Sequence, residues 1–411
     1  MHTEILLIST SEASGKKVVT LSMNRRANII IAGAGGIAEA AGLLLMEWSV
    51  VTPKLYIGNR TLSKAKKMAA WIEDGANRPC SIQTFHLPEE GFSEEMKEVL
   101  EECDILLDCL PGGQAPRMAK LARDFKLHYA NLTEYVTETN EIIDLAKDAG
   151  TGFILQTGLA PGYIDVLANG MFQEFCRAFE VDEVDKLELK VGALTANAVA
   201  PHYYGFTWSP VGVATEYLEG ALALRDFKIT KLPALSERER IIIDGTTYEE
   251  DLTSGGAADL PEALVGRVRH LDYKTLRYPG HYTWVEEQLG KLPGNKNVIS
   301  ALQSVMEKQI PHLEDDRIIL YAAVEGRDAL GTLHRREIFK KITPQTVGKH
   351  SLRAIQTTTA APLLQAAQLL LESNLKGVVL QSQIDPFKFL NGHFIQAVYG
   401  GHEDLLNFLK L

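Results

Sequence analysis

Between Asn28 and Gln156, short apolar runs alternate with longer segments whose apolar residues recur at helical spacing. Such runs, bounded by Gly, Pro and Asn, read as buried strands; the segments between them read as amphipathic helices. The pattern predicts strands over 28–32, 54–58, 81–85, 104–110, 127–131 and 152–156, and helices over 36–48, 61–74, 93–102, 115–125 and 138–149. Six strands alternating with five helices make up a doubly wound, Rossmann-type parallel sheet, hence an α/β fold. KKVVTLSM, residues 16–23, offers one more edge strand.

Past Asp165 the pattern changes. A helix over about 163–179 leads into strand-like segments at 186–194, 227–231, 240–244, 266–273 and 318–325, set among Gly, Pro and aromatic residues. This reads as an inserted α+β domain with a mixed sheet. Apolar residues then keep helical spacing from Leu352 through Leu371, with Pro362 near the first turns, and predict a long helix that returns to the first domain. The division expected is 1–160 for dinucleotide binding, 161–345 for substrate binding and dimerisation, and 346–411 for the returning C-terminal segment.

Composition removes alternatives. A chain of 411 residues is long enough for two or three cores, and its net charge of −11, without a basic run, argues against a nucleic-acid partner. Cys80, Cys103, Cys109 and Cys176 lack C-x-x-C spacing, so no metal site and no disulfide framework is expected, and a reducing compartment fits. No apolar stretch has the length of a membrane span, and the N-terminus lacks a basic region before its apolar run. A cytoplasmic enzyme without a membrane partner is expected.

The run NIIIAGAGGIAEAAGLLL, residues 28–45, carries the first chemistry. Gly33 permits a tight turn, Gly35 lets backbone approach a pyrophosphate, and Ala38 lets the helix pack on its strand. Gly36 and Ile37 open the helix, whose unpaired N–H groups attract phosphate. The second strand ends at Asn59, Arg60 and Thr61, where an NAD site would place a carboxylate on the ribose. With no carboxylate there, and with Arg60 able to fork a 2′-phosphate (Lys64 adding a second charge), NADP is preferred and NAD stays open. Ligands in such sheets bind beyond the carboxyl ends of the strands, which adds Leu110, Pro111 and Gly112 to the cofactor set.

The middle of the chain holds His202, Tyr204 and Trp208, then Lys274, Arg277 and His281. Arg277 suits a substrate carboxylate, with Lys274 or His281 assisting, and the rings of Tyr204 and Trp208 suit an ammonium or an aliphatic stem. Each also has a plain alternative as a core or hydrogen-bonding residue. Glu134 stands just past the fifth strand, and Asp165 lies on the first turn of a helix, where a carboxylate is favourable without any catalytic role.

Taken in order, GAGGIA, GNRTLSKA, LLDCLPGGQ, TGLAPGYIDVLA, FTWSPVGVATEYL, TSGG and KTLRYPGH resemble the saccharopine dehydrogenase-like superfamily. The resemblance runs from about Asn28 to Asn391 and is nearest to the compact members grouped with lysine 6-dehydrogenases. It implies a Rossmann domain with a returning C-terminal segment, an inserted domain for substrate and dimer contacts, and a homodimer. It also implies hydride transfer between a nicotinamide and a carbon bearing nitrogen in an amino acid. Asn59–Arg60 departs from the acidic residue of NAD-using lysine dehydrogenases, and Asn131 stands where the family often has an acid. Oxidising a C–N centre requires a neutral amine, so a general base must act; Glu134 and His202 are the expected pair, with Asp165 in reserve. Two alternatives share the fold: reduction of a different imine, such as a carboxyspermidine-type adduct, and a nucleotide sensor or scaffold without turnover.

Overall fold

The computed structural model describes residues 26–91, 93–292 and 297–401. The expected edge strand at 16–23 lies outside them. The first domain runs β1 (Asn28–Ala32), α1 (Gly36–Trp48), β2 (Lys54–Asn59), α2 (Leu62–Gly75), β3 (Ile82–His86), α3 (Glu94–Glu102), β4 (Ile105–Asp108), α4 (Ala115–Asp124), β5 (His128–Asn131), α5 (Val136–Ala146) and β6 (Gly152–Ile154). In β1, Ile29 and Ile31 face one apolar core while Ile30 and Ala32 face another. A strand covered on both sides has no polar face, which is why its sequence reads as a continuous apolar run.

After α6 (Tyr163–Phe179) come β7 (Val184–Thr195), α7 (Pro210–Glu216), β8 (Ala221–Arg225), β9 (Lys228–Leu232), β10 (Glu239–Ile243), β11 (Thr246–Leu252), α8 (Leu260–Ala263), β12 (Val268–Arg277), α9 (His281–Leu289), α10 (Val298–Gln309), β13 (Asp316–Arg327) and β14 (Leu333–Ile342). They build a mixed sheet of order β10-β11-β12-β7-β13-β14, with β8 beside β12 and β9 beside β8. One face of this sheet, with Leu187, Leu189, Ile318 and Leu320, joins α6 and α11 in the main core.

The chain then returns through the hairpin β15 (Gln345–Val347) and β16 (His350–Leu352) to α11 (Ala354–Glu372), β17 (Gly377–Val379), α12 (Pro386–Leu390) and α13 (His393–Tyr399). β17 pairs in parallel with β6, so the first sheet has the order β17-β6-β5-β4-β1-β2-β3 and seven strands where the sequence predicts six. A three-residue strand is too short to leave a periodic signal. Pro362 sits mid-helix in α11 rather than near its start. Proline cannot bond the carbonyl four residues back. Here that carbonyl, of Thr358, accepts the Tyr399 hydroxyl at 2.5 Å, so packing against α13 supplies the missing donor.

Candidate active site

The β1–α1 turn is built for close approach. Gly33 has φ +116° and donates its N–H to the Gly58 carbonyl at 2.8 Å; a Cβ there would lie 2.9 Å from the Cys109 carbonyl oxygen. Only glycine accepts both constraints. Beyond it, a Cβ on Gly35 would meet nothing within 4 Å, so open space faces the start of α1 and the first N–H groups of Gly36 and Ile37. The returning segment reaches the same place. Gln356 Nε2 donates to the Gly36 carbonyl at 2.9 Å, and Arg353 Nη2 lies 3.5 Å from where a Gly36 Cβ would be. Arg353 also donates to the Thr207 carbonyl at 3.2 Å and pairs with Glu314 at 3.3 Å.

The other cofactor candidates flank this turn. Asn59 ends β2, buried, with its carbonyl accepting from Leu87 N–H at 3.2 Å. Arg60 is exposed and pairs with exposed Glu89, and Thr61 caps α2 without a side-chain bond. Past β4, Leu110 N–H donates to Asp108 Oδ1 at 3.0 Å; Pro111 and Gly112 follow, with Thr133 and Tyr135 packed against Gly112. Asn131 joins strand ends, accepting from Gln156 N–H at 2.9 Å.

A cleft opens between the two domains at the carboxyl ends of β5 and β6. Its walls are Leu132 and Glu134 from the first domain, the Gly158–Pro161 loop ahead of α6, and Val191, Ala193, Tyr273, Thr275 and Arg277 from the mixed sheet. Trp208, Glu216, Ile355 and Thr359 complete it. Burial raises the pKa of Glu134. Glu216 rises further, to about 8, because burial outweighs the attraction of Arg277 and because Glu134 adds like charge. The loop through Ser254–Gly256 supports both acids: Ser254 N–H donates to the Glu216 carbonyl at 3.2 Å, and Gly255 approaches Glu134. Gly256 lies where any Cβ would run into the Tyr273 ring.

Arg277 is 1% exposed and is held from behind. Its Nε donates to Tyr217 Oη at 2.7 Å, its Nη1 donates to the Leu276 carbonyl at 3.0 Å, and its guanidinium carbon sits 4.8 Å from the Tyr204 ring centre. Nη2 faces Glu216 at 3.7 Å. His281 orders this arrangement. Its Nδ1 lies 2.6 Å from the His202 carbonyl and so carries the proton, which leaves Nε2 to accept from Tyr217 Oη at 2.9 Å. Burial, reinforced by Arg277, drives the His281 pKa down to about 3, so the ring is neutral. Backbone, imidazole, phenol and guanidinium thus form one polarised chain ending in the cleft.

Other residues singled out in the sequence lie away from the cleft wall. His281 and Tyr204 support Arg277 and do not line the cleft. His202 contributes its carbonyl to the chain, while its Nδ1 faces the Tyr204 N–H at 3.3 Å; its ring is absent from the cleft wall. Lys274 points away from the cleft. Successive side chains of a strand alternate faces, and Tyr273, Thr275 and Arg277 take the cleft side. Lys274, on the other side, bonds Glu239 at 2.7 Å and approaches Glu250 at 3.6 Å. Asp165 is fully buried, accepts Gly162 N–H at 2.7 Å, and serves the start of α6. Glu134, Arg277 and Trp208 do converge. Glu216, which lies within FTWSPVGVATEYL without being singled out by it, and Arg353 and Gln356, outside any motif, come to the site only through tertiary packing.

Comparison with known proteins agrees with this architecture. Residues 29–154 match the saccharopine dehydrogenase NADP binding domain, and residues 158–394 match the saccharopine dehydrogenase C-terminal domain. An alpha-aminoadipic semialdehyde synthase of Arabidopsis thaliana is 23% identical over 210 residues, which are 46% of this chain and 19% of that protein. The mitochondrial one of Rattus norvegicus is 21% identical over 222 residues, 53% of this chain and 23% of that protein. The matched region therefore spans less than a quarter of the length of these curated relatives. Apo saccharopine dehydrogenase (L-Glu forming) from Saccharomyces cerevisiae has the same fold, with TM-score 0.71 and 16% identity over 91% of this chain and 98% of that one. So does homospermidine synthase from Legionella pneumophila in complex with NAD, with TM-score 0.65 and 14% identity over 94% and 92%.

Proposed function

The chain belongs to the saccharopine dehydrogenase family, and from that premise we propose that it is an NADP(H)-dependent oxidoreductase transferring hydride at a C–N centre of an amino acid or its imine. The observation that carries the reading is the convergence of Glu134, Glu216 and Arg277 on a cleft at the carboxyl ends of β5 and β6. That is where doubly wound sheets bind ligands. The β1–α1 turn fits a dinucleotide, because Gly33 brings the chain tightly past Cys109 and open space lies in front of Gly35. Gly33, Gly35, Gly36 and Ile37 would hold its pyrophosphate, assisted by Arg353, while Asn59, Arg60 and Thr61 would read the adenosine ribose. The Arg60–Glu89 pair is exposed on both sides, so it is weak and easily exchanged for a 2′-phosphate. Leu110, Pro111 and Gly112 would pack beside the remainder of the dinucleotide. Bound there, a nicotinamide supplies the hydride acceptor or donor.

The chain's residues do the rest. Arg277 receives the substrate carboxylate on the edge not used by Tyr217 and Leu276. Glu134 takes the proton from the substrate ammonium, leaving the neutral amine that hydride loss requires; burial raises its pKa and makes it a stronger base than an ordinary carboxylate. Glu216 beside it, largely protonated at neutral pH with a pKa of about 8, accepts a hydrogen bond from the substrate nitrogen through its carbonyl oxygen. Trp208 and the apolar walls exclude water.

The test is turnover: purified protein with NADP⁺ and a panel of amino acids, and with NADPH and oxo-acid or aldehyde plus amine mixtures, followed by nicotinamide absorbance. Glu134→Gln is expected to lower kcat about a hundredfold while leaving NADPH binding unchanged. NADPH binding without turnover on any of these would favour a nucleotide sensor instead.

A further inference from the structure

The charge inventory of the cleft goes beyond reaction type. Among the residues lining it, Arg277 is the one cation, and Glu134 and Glu216 are the acids. Arg277 can accept little more than one carboxylate, because its Nε is committed to Tyr217 and its Nη1 to the Leu276 carbonyl. Its free edge, Nη2, faces Glu216 at 3.7 Å. A ligand placing its carboxylate on that edge would set an adjacent ammonium beside Glu216, within reach of charge-assisted hydrogen bonding. Trp208 adds an aromatic side chain to the wall, of the kind beside which an ammonium is favoured.

The remaining wall would be hostile to a second anion. Leu132, Leu159, Val191, Ala193 and Ile355 offer no donor side chain, and Tyr273, Thr275 and Thr359 offer only hydroxyls. A second carboxylate would lose its water without gaining a cation. An aliphatic chain meets no such cost and buries its surface there.

We infer that the cleft selects a zwitterionic amino acid with a single carboxylate and an aliphatic chain, and rejects dicarboxylates. The inference rests on the reading of this cleft as the substrate site. It is tested by isothermal titration calorimetry on the full chain, with and without saturating NADP⁺, using L-norleucine, L-glutamate and glutarate as probes. L-norleucine is expected to bind at least about tenfold more tightly than L-glutamate, with glutarate weakest, as the loss of one charge-assisted contact implies. Glu134→Gln, with folding checked by circular dichroism, should weaken L-norleucine by about tenfold, and Glu216→Gln, which replaces a carboxyl already largely protonated, should weaken it less. L-glutamate or glutarate binding as tightly as L-norleucine would overturn the inference. So would failure of L-norleucine to bind NADP⁺-saturated protein at millimolar concentration. A protein that binds L-norleucine selectively but no dinucleotide would leave the selectivity standing and remove the dehydrogenase reading.

Discussion

The two sheets treat charge in opposite ways. The parallel sheet is apolar through its interior and keeps polar groups at its carboxyl edge, where Asp108 accepts from Leu110 N–H at 3.0 Å and from Tyr129 Oη at 2.8 Å. The mixed sheet carries an ion network across the face turned away from the cleft. Lys190 reaches both oxygens of Glu250 at 2.6 Å and Glu188 at 3.0 Å, Arg335 also holds Glu188, and Lys274 joins through Glu250 at 3.6 Å. In a parallel sheet, nearness to a strand end therefore marks chemistry. In the mixed sheet, the face a residue occupies decides whether its charge serves the ligand or the fold.

The strongest challenge to this contrast is Lys274→Met. Removing Lys274 takes the donor from Glu239 and from the Glu237 carbonyl, while Glu250 keeps Lys190, and should cost about 1–3 kcal/mol of stability, measured by urea denaturation. Amino-acid affinity of the folded variant should stay unchanged, because Lys274 faces away from the cleft. Weakened binding would put Lys274 in the site and defeat the assignment by face. Arg277→Ala should do the converse. It should weaken amino-acid binding by about 2–3 kcal/mol, roughly thirty- to 140-fold in Kd, and leave NADPH affinity intact.

The β12 boundary explains why sequence reading merged these two residues. A strand expected over 266–273 stops short of both Lys274 and Arg277, so a following turn was free to bring them together. The strand runs through Arg277, and residues three apart then lie on opposite faces. The first domain was far more legible: β1 and α1 fall where the apolar pattern places them, because local packing against both faces dictates that pattern. β14 was missed, since LHRREIFKKI mixes exposed charges with Leu333 and Phe339 and offers no clean alternation. Glu216 was unreadable for another reason. It lies within FTWSPVGVATEYL, but nothing local marks it as a site residue, and only the fold sets it against Arg277.

A smaller effect is expected from pH. Glu216 has a folded-state pKa of about 8, above its ordinary carboxyl value. Its contribution to stability is complete below the ordinary value and is lost as pH rises to about 8, since the unfolded chain releases that proton first. Glu216→Gln should therefore flatten the fall in stability across this window and leave the variant relatively more stable near its upper end. Thermal denaturation at several pH values checks this; an unchanged pH dependence would mean that Glu216 ionises normally.

Most direct of all is a titration of the purified chain with NADPH and with NADH, following tryptophan fluorescence, for wild type and Arg60→Ala. The account predicts that NADPH binds more tightly than NADH and that Arg60→Ala weakens NADPH about tenfold, the loss of one exposed charge-assisted contact, without changing NADH. Equal affinity for both nucleotides in the wild type would contradict the role given to Arg60, and binding of neither would contradict the dehydrogenase itself.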